Sequence, residues 1–139
     1  MPSLTSVSRP ALSRRELLFT LWVFVMFLYL YCDVLGLFDP VVLNQLIGGG
    51  VGGFIMTEMF LVAAGALMIL PIAMVLLTRV LARPAARIGN IVVGAIKTLV
   101  MIATLLTPCT LYYWMFAVIE IATTVSIVAL AWTWRSDAQ

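Results

Sequence analysis

Four long apolar segments, separated by short polar or glycine-rich stretches, dominate the pattern along the chain. The first segment follows Ser13 and Glu16, which have the S-x-x-E spacing of a helix-capping box, and it ends at the Asp39-Pro40 pair. Each segment has about the twenty apolar residues that a helix needs to cross the hydrocarbon core of a bilayer. The pattern predicts four helices, at about residues 16–37, 54–79, 88–107 and 111–134.

The segments between these helices are short. Residues 40–47 predict a short surface helix, and the glycine cluster at residues 48–53 predicts a flexible loop. The cluster lacks the G-K-[ST] ending of a phosphate-binding loop. Residues 79–87 are basic and predict a turn, whereas Pro108-Cys109-Thr110 predicts a tight connection.

The fold class that follows is an all-α membrane protein with one four-helix bundle. The membrane domain covers residues 16–135, residues 1–15 predict a disordered basic segment, and residues 136–139 form a tail. The first apolar segment is too long for the apolar core of a cleaved signal peptide, so it predicts an uncleaved anchor.

Composition supports this class and excludes several others. The 139 residues are 64% hydrophobic and only 10% charged, whereas soluble domains have about 25% charged residues. Histidine is absent, which removes histidine metal sites, and we expect neither a metal nor a cofactor. No basic run with aromatic residues points to nucleic acid, and no nucleophile triad or C-x-x-C motif points to an enzyme.

Lysine and arginine are distributed unevenly between the connections. The start of the first helix, the connection after the second and the residue after the fourth are basic, whereas the other two connections contain no lysine or arginine. Positive loops mark the cytoplasmic side. We therefore expect both termini to be cytoplasmic, in a multi-pass protein of a bacterial plasma membrane.

Charged residues inside the apolar segments are the strongest candidates for a site. Lys97 lies nine positions inside the third helix, and Glu120 lies nine positions inside the fourth. At about 1.5 Å per residue, each is roughly 13 Å deep and close to the midplane. Because the two helices form an antiparallel hairpin, we expect a Lys97–Glu120 ion pair. Asp33 and Glu58 are about one turn from the outer ends of the first two helices.

Helical periodicity gives each of these residues a face with polar or small neighbours. Tyr29 shares the face of Asp33, and Thr124 shares the face of Glu120. The predicted inward faces are Trp22, Met26, Tyr29, Asp33 and Gly36; Glu58, Leu61, Gly65, Met68 and Ile72; Asn90, Gly94, Lys97, Met101 and Thr104; and Tyr113, Ala117, Glu120, Thr124, Ile127 and Ala131.

Each candidate also has a structural explanation. The Lys97–Glu120 pair is either a catalytic or binding pair, or an ion pair that sets helix register. Asp33 and Glu58 either form an entry site for cations or protons, or are hydrated near helix ends. Cys32 and Cys109 both lie near the outer ends of helices, where an oxidising compartment allows a disulfide.

Some local patterns are similar to a known family. The aromatic-Asp-Gly end of the first helix, residues 27–37, resembles that of an uncharacterised family of small bacterial four-helix membrane proteins. Residues 70–75 and 116–121, the latter centred on Glu120, are also similar to its pattern. The resemblance covers residues 17–134 and implies four helices and notable positions at Asp33 and Glu120, but no activity.

Three functions are compatible with this pattern. The first is a small carrier or channel-type protein, a homo-dimer or higher homo-oligomer, that binds a cation, protons or a small ligand in an outward-facing site. The second is a binding protein or membrane enzyme for a lipid-like ligand, and the third is an accessory subunit with membrane lipids as its surroundings. The candidate binding residues are Asp33, Glu58, Lys97, Glu120, Tyr29 and Thr124.

Overall fold

Five helices and one small hairpin make up the part of the chain that the structure describes, residues 12–134 of a computed structural model. The elements in chain order are α1 (Arg14–Phe38), α2 (Pro40–Ile47), β1 (Gly50–Val51), β2 (Phe54–Ile55), α3 (Glu58–Val80), α4 (Arg83–Thr104) and α5 (Leu111–Trp132). Four of the helices, α1, α3, α4 and α5, are long and apolar enough to span a membrane. The predicted all-α class with four spanning helices is confirmed, and the protein is a multi-pass membrane protein.

Local sequence explains where the helices begin. Ser13 and Glu16 form the expected capping box at the start of α1, so α1 already includes Arg14 and Arg15. The rest of the predicted disordered segment, residues 1–11, lies outside the described residues, as does the predicted tail. α4 begins at Arg83 rather than Ile88, because Pro84 is compatible with the first turn of a helix.

The glycine cluster forms a β-hairpin rather than an irregular loop. β1 and β2 pair antiparallel, with Gly50 opposite Ile55 and Val51 opposite Phe54. Gly52 and Gly53 both have positive φ, at 57° and 87°, which a two-residue turn of type I′ requires. β2 occupies the first two residues of the helix predicted for residues 54–79, and α3 starts only at Glu58, after the Thr57 cap.

Each spanning helix packs against two others, in the order α1, α3, α4, α5 around the bundle. Gly94 allows the close approach of α4 and α5, since a Cβ there would lie 2.8 Å from Val128 Cγ2. The expected antiparallel hairpin of these two helices is therefore present.

Three of the four predicted inward faces are interior faces, and the fourth is wrong. Trp22, Lys97 and Glu120, from the predicted faces of α1, α4 and α5, are buried. On α3, by contrast, the buried residues are Pro71, Met74 and Thr78, whereas the predicted face is mostly exposed, including Glu58 and Gly65. After Glu58, the first half of α3 has no polar side chain on any face, so periodicity there does not indicate which side packs.

Arginines close the end of the bundle where the described chain begins and ends, which we call the arginine end. Arg14 Nη1 donates to Leu130 O and Thr133 Oγ1 at 3.3 and 2.7 Å. Arg15 Nη1 is 2.9 Å from three carbonyl oxygens at the end of α3, and Arg87 donates to Ala131 O and Trp132 O. Most of these bonds go to carbonyls in the last turns of α3 and α5, the part of a helix where regular hydrogen bonding leaves acceptor capacity unused.

A buried polar contact lies next to this closed end. Trp22 Nε1 donates to Asn90 Oδ1 at 2.6 Å, and Asn90 Nδ2 donates to Ala86 O and Thr78 Oγ1 at 2.7 and 3.2 Å. The contact joins α1, α3 and α4. The fully buried Leu18, Trp22 and Ile127 fill the space around it, so the bundle is tightly packed in this half.

Candidate functional site

The opposite end of the bundle, which we call the hairpin end, holds a cavity of about 730 Å³. The end of α1 forms one wall, α2 and the β-hairpin cover it, and the segment from Thr104 to Tyr113 forms the other wall. The lining is mainly apolar and aromatic. It comprises Cys32, Asp33, Val34, Gly36, Leu37, Val41, Val42, Gln45, Leu46, Val51, Gly52, Phe54, Met56, Thr104, Thr107, Pro108, Cys109, Thr110, Tyr112 and Tyr113.

Asp33 lines this cavity and is exposed. Among the lining residues just described, it is the one with an ionisable carboxyl group, and the lining contains no lysine or arginine. Glu58 is also exposed but is not part of the lining. The expected Asp33–Glu58 entry site is therefore not the cavity seen here, because the start of α3 stands outside the packed part of the bundle.

Lys97 lies deeper, with 4% of its surface exposed. Its Nζ is 4.2 Å from the centroid of the Tyr29 ring and 3.5 Å from Met68 Sδ. An aromatic face attracts an ammonium group, whereas a thioether sulfur is a weak acceptor. Lys97 is thus held by α1 and α3, and the direct Lys97–Glu120 ion pair expected from the α4–α5 hairpin is not formed.

Glu120 is 1% exposed, and its Oε1 has no hydrogen-bond partner within residues 12–134. The Oη of Tyr29, 3% exposed, is likewise without a partner there. Both groups belong to one electrostatic cluster, in which Asp33 and Glu120 act on Lys97 and Glu120 acts on Tyr29. The four predicted residues Asp33, Lys97, Glu120 and Tyr29 therefore come together at and behind the cavity.

Thr124 has a structural position between α4 and α5. Its Oγ1 donates to Glu120 O at 3.0 Å within α5 and lies 2.8 Å from Thr98 Oγ1 of α4. The hydroxyl thus has partners on both helices. Thr124 holds the helix that carries Glu120, while its own polar atom is not available to a ligand.

Cys32 and Cys109 both line the cavity and both are free thiols. Cys109 Sγ lies 3.0 Å from Thr107 O and 3.4 Å from Thr104 O. The disulfide that the sequence allows is not formed in this structure. Its two candidate residues nevertheless line the same cavity, Cys32 on the α1 wall and Cys109 on the opposite wall.

Several cavity residues have no distinct signal in the sequence. Tyr112 and Tyr113, at the start of α5, both line the cavity, and Tyr113 Oη donates to Thr104 Oγ1 at 3.2 Å. Gly36 faces the same side, since a Cβ there would lie 3.6 Å from Tyr112 Oη. Tyr113 and Thr104 belong to the predicted inward faces of α5 and α4, which is the one signal that pointed to them.

Comparison with protein-family models identifies the family of the chain. The model of a family of unknown function, DUF6326, matches residues 9–139. The chain belongs to DUF6326. The resemblance to an uncharacterised family is confirmed, and comparison with curated proteins and with solved structures gives no match.

Membership of DUF6326 brings no assigned activity, so the chemistry of the site rests on its geometry. An apolar cavity with one carboxylate at its wall attracts a cation, because low-dielectric walls concentrate the field of the charge. The aromatic rings of Tyr112 and Tyr113 add surface on which a cation is also favourable. The cluster of Lys97 and Glu120 behind the wall adds groups that hold or release protons.

Proposed function

We propose that this DUF6326 protein binds a small organic cation in the cavity at the hairpin end, with Asp33 as the carboxylate that receives the positive charge. The main support for this proposal is the lining of the cavity, in which Asp33 is the single carboxylate among apolar and aromatic side chains. Ligand sites are typically apolar clefts of roughly 300–1,000 Å³ with a few polar groups that orient the ligand. The cavity of about 730 Å³ falls in this range.

We further propose that the cavity opens to the outside of the cell. At the arginine end, Arg14, Arg15 and Arg87 donate to carbonyls of neighbouring helices, whereas residues 39–57 and 105–110 at the hairpin end contain no lysine or arginine. This asymmetry favours the arginine end on the cytoplasmic side. The packed core beside that end supports access from the outside.

Transport is a second candidate, favoured by the ionisable cluster behind the cavity. Ionisable residues within spanning helices mark ion and substrate pathways, and Lys97 and Glu120 extend the polar region from the cavity into the bundle. Many carriers are built from two repeats related by a pseudo-two-fold axis. A carrier built from this chain would be a homo-oligomer, with a second copy as its other half.

Tetraphenylphosphonium, a lipophilic organic cation, is the probe for the binding proposal. We expect it to bind the purified protein in equilibrium dialysis, and we expect Asp33→Asn to weaken binding by about tenfold to a hundredfold, the effect of losing one charge-assisted contact. Glu58→Gln is the matched control. It removes a carboxylate from the exposed start of α3 and leaves the affinity unchanged.

Tetraphenylborate has the same shape and the opposite charge, and therefore separates charge recognition from simple partition into an apolar cavity. The proposal expects weaker binding of the borate than of the phosphonium. Equal binding of both probes, unaffected by Asp33→Asn, contradicts a cation site and favours the lipid-like ligand.

A further inference from the structure

The charges at and behind the cavity do not balance. Asp33 and Glu120 supply two carboxylates, and Lys97 supplies one ammonium that interacts with both of them. If all three side chains are ionised, one negative charge remains in a region of low dielectric constant. Such a charge is costly unless a cation or a proton neutralises it.

Lys97 forms no direct ion pair with Asp33 or Glu120 in the structure. Its nearest polar and aromatic partners are Met68 Sδ and the Tyr29 ring, and Tyr29 lies one helical turn before Asp33 on α1. A lysine ammonium sits on a flexible four-carbon stem. The ammonium can therefore change its position through the torsions of its own side chain.

Glu120 is buried, and one of its carboxyl oxygens lacks a hydrogen-bond partner in the described part of the chain. It is 1% exposed and its Oε1 has no protein partner within residues 12–134. An ionised carboxylate in that position is costly unless Lys97 pairs with it, whereas the neutral acid has no charge to solvate. The protonation of Glu120 and the position of Lys97 are therefore linked.

We propose that the site exchanges one proton for one cation: an organic cation that binds Asp33 displaces the proton that Glu120 holds. The inference rests on the proposed binding function. Without ligand, the Lys97 ammonium stays beside the Tyr29 ring and Met68, offsets the charge of Asp33 through space without direct contact, and Glu120 is neutral. When the cation takes Asp33, the Lys97 ammonium moves to Glu120, the O–H bond of Glu120 breaks, and the proton leaves through the cavity to a base in solution.

The other ionisable groups around Glu120 do not replace it in this exchange. α1 contributes Tyr29 and Cys32, and α5 contributes Tyr113. Phenols and thiols ordinarily retain their protons at neutral pH. The ionisable residues of α3, Glu58 and Arg79, lie near its two ends, so Met68 is what α3 brings to the cluster.

Proton release during binding is the direct test. Tetraphenylphosphonium is titrated into the full-length protein in weakly buffered detergent solution near neutral pH, with an indicator dye that reports released protons. We expect about one proton per bound cation in the wild type, because two carboxylates share one ammonium. Glu120→Gln should bind the cation and release no proton, and Glu58→Gln should match the wild type.

The wild-type affinity measured at several pH values gives the same information without a variant. If binding releases one proton, the affinity rises by about tenfold per pH unit while Glu120 holds its proton. Binding with no proton release and a pH-independent affinity overturns the exchange and leaves the binding site standing. Release that persists in Glu120→Gln overturns the assignment to Glu120. Absence of binding in the wild type overturns the binding proposal and, with it, the exchange.

Discussion

At the scale of single residues, the contacts of Lys97 determine how charge is distributed in the site. A lysine in the middle of an apolar helix demands a partner, and the structure supplies the ring of Tyr29 and the sulfur of Met68 rather than a carboxylate. These partners hold an ammonium less strongly than a charged group does. The Lys97 ammonium can therefore compete with a bound cation for the carboxylate of Asp33.

Removing this competitor should strengthen cation binding. In Lys97→Met the side chain keeps its apolar bulk but loses its charge, so nothing within the cluster opposes a cation at Asp33. We expect the affinity for tetraphenylphosphonium to rise severalfold in equilibrium dialysis at a fixed pH. Lys97→Arg, which keeps the charge, serves as the control and should not show the gain. An unchanged or lower affinity in Lys97→Met would argue against the competition.

Residue positions along the helices were predictable to different degrees. Depth follows from counting residues, because the rise per residue of a helix is constant, and Asp33 and Glu58 do lie toward the same end of the bundle. Rotation about the helix axis and packing of neighbours do not follow from counting. For this reason Lys97 faces Tyr29 instead of Glu120, and Glu58 stands away from the cavity.

At the scale of elements, the inward face of a helix was predictable only where polar or small residues contrast with large apolar ones. On α4 the buried Asn90, Gly94 and Lys97 contrast with large apolar residues on the other faces, so the inward face was visible in the sequence. α3 has no such contrast near its start, and its predicted face was wrong. Two glycines with positive φ in the turn allow a hairpin, but a glycine cluster in a sequence is equally typical of a flexible loop.

Gly94 and Gly65 provide a matched test of how α4 and α5 are held together. A Cβ at Gly94 would lie 2.8 Å from Val128 Cγ2, whereas a Cβ at Gly65 meets nothing within 4 Å. We expect Gly94→Ala to lower the free energy of unfolding by about 1–3 kcal/mol, as overpacking does. Gly65→Ala should be neutral or stabilise by up to about 1 kcal/mol, because alanine favours a helix.

Reversible unfolding in mixed micelles, followed by circular dichroism, measures both glycine variants. Equal effects of the two substitutions would mean that α4 and α5 are not in close contact at Gly94. A loss confined to Gly65→Ala would mean that α3 packs through the face that is exposed in this structure.

One end of the described bundle is packed, and the other end contains the cavity. Hydrogen bonds from arginines to helix carbonyls and the Trp22–Asn90 contact hold the arginine end together, and the cavity at the hairpin end is covered by α2 and two short strands. The four spanning helices were predictable from hydropathy alone, since their length and apolar character are strong signals. The cavity was not, because it is formed by connecting segments whose sequence is compatible with several structures.

The thiol of Cys109 tests the account most directly, since it lines the proposed site. In intact cells that produce the Cys32→Ala protein, a membrane-impermeant maleimide added outside should label Cys109, and tetraphenylphosphonium should slow this labelling severalfold. Adding Asp33→Asn should remove the slowing, and Cys109→Ala should remove the label. Labelling only after the cells are permeabilised, or slowing that persists with Asp33→Asn, would contradict an outward cavity that binds a cation at Asp33.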